Sequence, residues 1–156
     1  CVAKSDSIVN AVNGLQVKPN YSIQNHPSID ILIISGGRGV RKILDDNEAL
    51  EWLESTIKNA ELTISICSGS LLLAKLGMLK GKQFCTHMDV YDYMLEIEPS
   101  SIPQKEKRFV RSDEKIYTSG GISAGIDLSF HVIETILGRE TALDTADYME
   151  YNLHTN

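Results

Sequence analysis

Two hydrophobic patterns alternate along the chain. Short continuous apolar runs end at glycine or serine, and longer stretches follow in which apolar residues recur every three or four positions. The runs "SIDILIISGG" and "LTISIC" read as strands covered on both faces, as in parallel α/β sheets. The stretches "DNEALEWLESTIKNA" and "GSLLLAKLG" read as the helices that follow them. Leu50, Leu53 and Ile57 share one face of the first, with Asp46 or Asn47 as its cap, and Gly77 stops the second. Upstream, "CVAKS" is a short strand, and Asn13-Gly14 joins two brief runs in a hairpin. Pro19 limits the second of these runs to an edge. Downstream come a short strand "KQFCTH", a helix "DVYDYMLEI" and a polar loop "PSSIPQKEK". Next, "RFVRS" and "KIYTS" form a hairpin around Asp113-Glu114. "IDLSFHVIETILG" is a helix with Ile126, Phe130, Ile133 and Leu137 on one stripe, and "ETALDTADYMEYNL" is a last, acidic helix with a solvated face or a dimer edge. This alternation predicts one α/β domain, doubly wound and flavodoxin-like, with a mostly parallel sheet and helices on both faces.

Composition narrows the classes of function. The 156 residues suit a single domain over 1–156, 42% hydrophobic and 23% charged. A net charge of −6 argues against nucleic acid and against an anionic membrane surface. No apolar run approaches the roughly 18 residues of a membrane span, and no signal peptide is evident. Cys1, Cys67 and Cys85 lack metal-ligand spacing, so free thiols in a cytoplasmic setting are expected, with no metal and no organic cofactor. The opening strand at Cys1 reads as one already under way, so a segment upstream is expected.

The chemistry concentrates at the end of "LTISIC". Ser65, Ile66, Cys67, Ser68 and Gly69 have small-x-nucleophile-x-small spacing, that of a strand-to-helix nucleophile elbow. A thiol there stands at a helix N-terminus, which favours thiolate. The N–H of Ser68, with a second donor from Gly36-Gly37, would form an oxyanion hole. Cys85, inside an apolar strand, reads as a core residue. Of the histidines, His26 and His154 read as surface residues and His131 as a helix residue. His87 ends a strand at the same sheet edge as Cys67, which makes it the candidate proton carrier. The Gly36-Gly37-Arg38-Gly39 turn lacks phosphate-loop spacing. Arg38 and Arg41 read as solvated surface, with contact to an anionic substrate as the alternative. Ser123 reads as a helix cap, with Ser119-Gly120-Gly121 and Ser123 as pocket lining otherwise, and Asp127 as a structural acid in the first turn.

The segments "DILIISGG", "ISICSGSLLLAKLGMLKGKQFCTH" and "TSGGISAGIDLSFHVIETILG" together resemble the ThiJ/PfpI superfamily, with its class I glutamine-amidotransferase-like fold. The resemblance runs from about residue 1 to residue 151, with Thr86 and His87 lying 19 and 20 residues after the cysteine. "TSGGISAGID" with "CSGSLLLAKLGMLKGK" looks most like isonitrile hydratases and the sensor domains of some AraC-type regulators. The resemblance implies that Cys67 is the nucleophile, that His87 lies near it, and that Gly36, Gly37, Ser68 and Gly121 bind the oxyanion or substrate. It implies a homodimer acting on a small molecule. Ser68 stands where those enzymes typically carry threonine, and Met88 where they carry tryptophan. It also implies an acidic residue on a strand and helix preceding Cys1. The expected activity is cysteine-dependent attack on a small electrophile, with isonitrile hydration to an N-substituted formamide leading. An amidase/protease-like or glyoxalase-like enzyme, or a thiol-based redox or small-molecule sensor, is the alternative.

Overall fold

Branched apolar residues in unbroken runs favour the extended backbone, and the glycines after them let the chain turn. The computed structural model describes residues 1–153. In chain order it has β1 (Val2–Ala3), β2 (Val9–Asn10), β3 (Gln16–Val17), β4 (Tyr21–Ser22), β5 (Ile31–Ile34), α1 (Val40–Ile43), α2 (Asn47–Asn59) and β6 (Leu62–Ser65). Then follow α3 (Ser70–Lys75), β7 (Gln83–Phe84), α4 (Tyr91–Ile97), β8 (Ile102–Pro103), β9 (Phe109–Arg111), β10 (Ile116–Ser119), α5 (Ser123–Leu137) and α6 (Arg139–Tyr148). The central sheet has the order β5-β6-β10-β9, parallel except for β9. The predicted hairpin forms as β2 and β3, and β1 pairs with β4. The polar loop after α4 contains β8, which pairs in parallel with β7.

Two apolar layers sandwich the sheet. Leu32 and Ile34 pack with Leu50, Leu53 and Ile57 of α2, with α3, and with Met94 of α4. Asp46 caps α2, its Oδ1 accepting the Ala49 N–H at 3.2 Å. On the opposite face, Ile64, Phe109 and Tyr117 pack with Leu128 and Val132 of α5.

Two expectations are corrected. Strand β5 is buried on one face only: Leu32 and Ile34 are covered, while Ile31 and Ile33 are 41% and 59% exposed. The layer holding α5 is built on β6, β9 and β10 and includes no residue of β5. The inward face of α5 is also different. Ala124, Leu128 and Val132, four residues apart, are buried, whereas Leu137 is 64% exposed. Of the predicted stripe only Phe130 is buried, stacked on Tyr151 at 5.4 Å between ring centroids.

Candidate active site

Strand β6 delivers the cysteine to the carboxyl edge of the sheet. Pairing with β5 continues one residue past its end, where the Ile66 N–H donates to the Ile34 carbonyl at 3.0 Å. The backbone then reverses sharply, and Cys67 has φ +94°, the left-handed region that disfavours a side chain. Gly69 is required there, because a Cβ on it would lie 2.5 Å from the Ile34 carbonyl oxygen. A 3₁₀ turn over Cys67–Gly69 follows, and only then the six-residue α3. The helix therefore begins at Ser70, one residue later than the predicted stretch, with a 3₁₀ turn between it and the cysteine.

Thr86 and Ser70 fix the elbow from below. The Thr86 hydroxyl donates to the Cys67 carbonyl at 2.6 Å, the Ser70 hydroxyl to the same carbonyl at 3.1 Å, and the two hydroxyls lie 2.8 Å apart. Both residues are buried. Strand β7 stops at Phe84, short of the expected end at His87, so this tie couples the segment after the strand that carries His87 to the residue that carries the thiol. The Thr86-His87 pair was visible in the sequence; the part played by Ser70 was not.

Two glycines leave room around the sulfur. A Cβ on Gly36 would stand 3.0 Å from Cys67 Sγ, and one on Gly121 would stand 3.8 Å from it. The same Gly121 position is 2.8 Å from His87 Cδ2 and 3.6 Å from Nε2. Thiol and imidazole thus converge on one point. The His87 Nδ1 accepts the Asp89 N–H at 3.3 Å, and the Asp89 carboxylate lies 3.6 Å from that nitrogen. Ser68 links the two sheet-edge turns: its hydroxyl accepts the Gly37 N–H at 2.8 Å and donates to the Gly37 carbonyl at 3.2 Å. The Gly37 amide is therefore engaged by Ser68, not directed freely at the sulfur.

These residues enclose a cavity of about 780 Å³. Gly36, Gly37, Cys67, Ser68 and His87 all line it. Ile122 and Asp89 line it too, and so do Arg38 and Arg41, which are exposed as expected yet face the same cavity, where the sequence offered contact with an anionic substrate as the alternative. Ile122 has φ +41° and is 84% exposed, a strained residue at the mouth. Gly121 lines the adjoining cavity on the far side of His87.

Other candidates fall away from the sulfur. Cys85 follows β7, fully buried, and burial pushes its thiol up to about 11. His131 packs on the rings of Phe109 and Tyr117. His26 is half-buried, its Nε2 accepting the Trp52 indole N–H at 2.8 Å, so it is a packing residue. His154 lies outside the described residues. Ser123 does not cap α5; its hydroxyl accepts from Arg108 Nη2 at 3.1 Å. Arg108 also ion-pairs with Asp127, whose side chain is 1% exposed and accepts the Tyr151 hydroxyl at 2.8 Å. That network anchors the start of α5, directly behind Gly121. Among the described residues no cluster of three His, Cys, Asp or Glu could hold a metal, and no helix is long and apolar enough to cross a membrane.

A parallel α/β sheet that presents a cysteine at a strained elbow, beside a histidine, defines a class of thiol-bearing α/β proteins. Within that class, the chain belongs to the DJ-1/PfpI family, whose profile matches residues 1–135. It is 34% identical to the isonitrile hydratase of Pseudomonas putida over 92% of this chain and 61% of that protein. It is 28% identical to the HTH-type transcriptional regulator GbdR of Pseudomonas aeruginosa, over 90% of this chain and 38% of the regulator. Among solved structures, a THiJ/PfpI family protein from Pseudomonas syringae superposes with a TM-score of 0.81 at 30% identity, covering 94% of this chain and 61% of that one. The chain thus spans about three fifths of the length of that hydratase and of that solved protein.

Proposed function

We propose that the protein is a cysteine-dependent enzyme that hydrates an isonitrile to an N-substituted formamide. The observation that carries this reading is the convergence of Cys67 Sγ and the His87 ring on the space left by Gly121. The similarity to the isonitrile hydratase supports the choice of substrate class. The Cys67 S–H adds across the terminal carbon of R–N≡C. A sulfur–carbon bond forms, and a proton passes to that carbon, giving R–N=CH–S–Cys67. Water then adds to the C=N bond, its hydroxyl to carbon and its proton to nitrogen. Collapse of this tetrahedral species breaks the sulfur–carbon bond, returns a proton to sulfur and releases R–NH–CHO. His87 moves the protons, with Asp89 holding its ring, and the Ser68 amide faces the oxygen of the tetrahedral species.

Hydration of p-nitrophenyl isocyanide by wild type and Cys67→Ser tests this. Loss of about a thousandfold or more in the variant is expected. Turnover of methylglyoxal or simple amides instead would replace the substrate, not the nucleophile. Binding without turnover of any of them would favour a sensor, a reading supported by the similarity to an HTH-type regulator. The proposal extends to a homodimer and to a strand and helix preceding Cys1 that bring an acid to the thiol. The unpaired outer edge of β5, with Ile31 and Ile33 exposed, supports that segment.

A further inference from the structure

The chain is acidic, with 21 Asp and Glu against 15 Lys and Arg. Three of its five arginines are held by partners on the protein itself. Arg108 pairs with Asp127 and Arg139 with Glu134. Arg111 donates to the carbonyls of Asp113 and Glu114, and Lys4, Lys58 and Lys82 pair with carboxylates. Arg38 and Arg41 stand apart. Among the described residues neither has a carboxylate partner, and both line the cavity that holds Cys67. Arg41 is held in place by the face of Tyr93, 5.4 Å from the ring centroid. An arginine oriented by an aromatic ring keeps its N–H groups available and loses little freedom on binding.

We propose that Arg38 and Arg41 form an anion subsite, and that the substrate of this cavity is an isonitrile bearing a carboxylate. This rests on the hydration reading for the reacting end only. The guanidinium fork matches a carboxylate in geometry and charge. A singly charged group suits the site better than a phosphate dianion, because the Asp89 carboxylate lines the same cavity. The subsite sits on the turn after β5 and on α1 directly behind it, while the nucleophile sits on the turn after β6. The substrate therefore spans the two turns, its carboxylate at the arginines and its isonitrile carbon at Cys67 Sγ. Ser68, hydrogen-bonded to Gly37, fixes the spacing between these turns.

A matched pair of substrates tests this. 4-Isocyanobenzoate and 4-isocyanobenzamide differ little in shape and by one charge. Wild type is expected to favour the benzoate in kcat/KM by about tenfold, the scale of a hydrogen-bonded charge. The ratio falls towards one in Arg38→Gln/Arg41→Gln, persists in Arg41→Lys, and shrinks with added salt. A variant that merely misfolds lowers both rates and leaves the ratio intact. Protection of Cys67 from iodoacetamide by benzoate and by benzamide gives a readout without turnover. If neither isonitrile is hydrated but benzoate alone protects, and the double variant loses that protection, the subsite stands and the hydration reading fails. Equal rates and equal protection for the two members of a pair in wild type overturn the subsite.

Discussion

Cys67 occupies a backbone conformation that costs about 1–2 kcal/mol for any residue with a Cβ. Replacing it by glycine relieves that cost, and replacing it by alanine does not. Cys67→Gly is therefore expected to be more stable than Cys67→Ala by about 1 kcal/mol in urea unfolding, and equal stabilities would show that φ +94° is unstrained. The sulfur's surroundings are as tight as its backbone. Gly36→Ala would set a methyl 2.7 Å from the Ile66 carbonyl oxygen and 3.0 Å from Sγ, so it should displace the elbow, slowing alkylation of Cys67 and lowering stability in urea unfolding. Cys85 behaves in the opposite way. Its thiol ionises near 9.0 when unfolded and only near 11 when folded, because burial disfavours the charge. Its stabilising contribution is complete below pH 9 and is lost as pH rises towards 11, about 2–3 kcal/mol in all. Denaturant titrations should show that alkaline loss reduced in Cys85→Ala. At this scale the sequence was readable where chemistry demands a residue type: small neighbours around Cys67, and a histidine on the segment that follows β7. It left Arg38 and Arg41 between a solvated surface and an anionic substrate, because no local pattern tells a solvated arginine from one facing a cavity.

The turn from β10 into α5 carries Gly121 to His87, and a single ion pair anchors it. Asp127 is almost fully buried, while Arg108 keeps about a third of its side chain in water. Removing Arg108 leaves a buried carboxylate with only the Tyr151 hydroxyl among its described donors, whereas removing Asp127 leaves a cation that water can reach. Arg108→Ala should therefore cost more than Asp127→Ala, with about 3 kcal/mol for the former. The double variant should cost at least about 1 kcal/mol less than the sum, a coupling that chemical unfolding measures. Additive losses would mean that the pair does not hold the turn. Asp127 was read as an acid in the first turn of its helix, but α5 begins at Ser123 and places it beyond that turn, and its partner lies 19 residues upstream, across a hairpin. The predicted stripe on α5 failed for the same reason. Its apolar residues surround the helix, and the positions of the sheet and of Tyr151 choose which are covered.

At the scale of the molecule, the site is an assembly of sheet-edge turns. Strand β5 leads to Gly36, β6 to Cys67 and β10 to Gly121, while the buried Thr86 tie brings in His87. The parallel order of β5, β6 and β10 puts all three turns at one edge, and this much the alternation of runs and periodic stretches foretold. It could not foretell coverage of β5, since an unbroken run of isoleucine and leucine looks the same with one covered face or two. The consequence can be measured. Among the described residues strand β5 pairs with β6 alone, and the Asp30 and Ile34 carbonyls accept from that side. By the alternation of a parallel ladder, the Ile31 and Ile33 amides then point away from β6. In the 156-residue chain these amides should exchange hydrogen orders of magnitude faster than those of Ile64 and Tyr117, which lie on strands paired on both sides. Slow exchange at Ile31 and Ile33 would mean that this edge is paired in solution, by a second copy or by residues ahead of β5 in the same 156-residue chain. Dilution separates these, because protection by a second copy falls with concentration and protection within one chain does not.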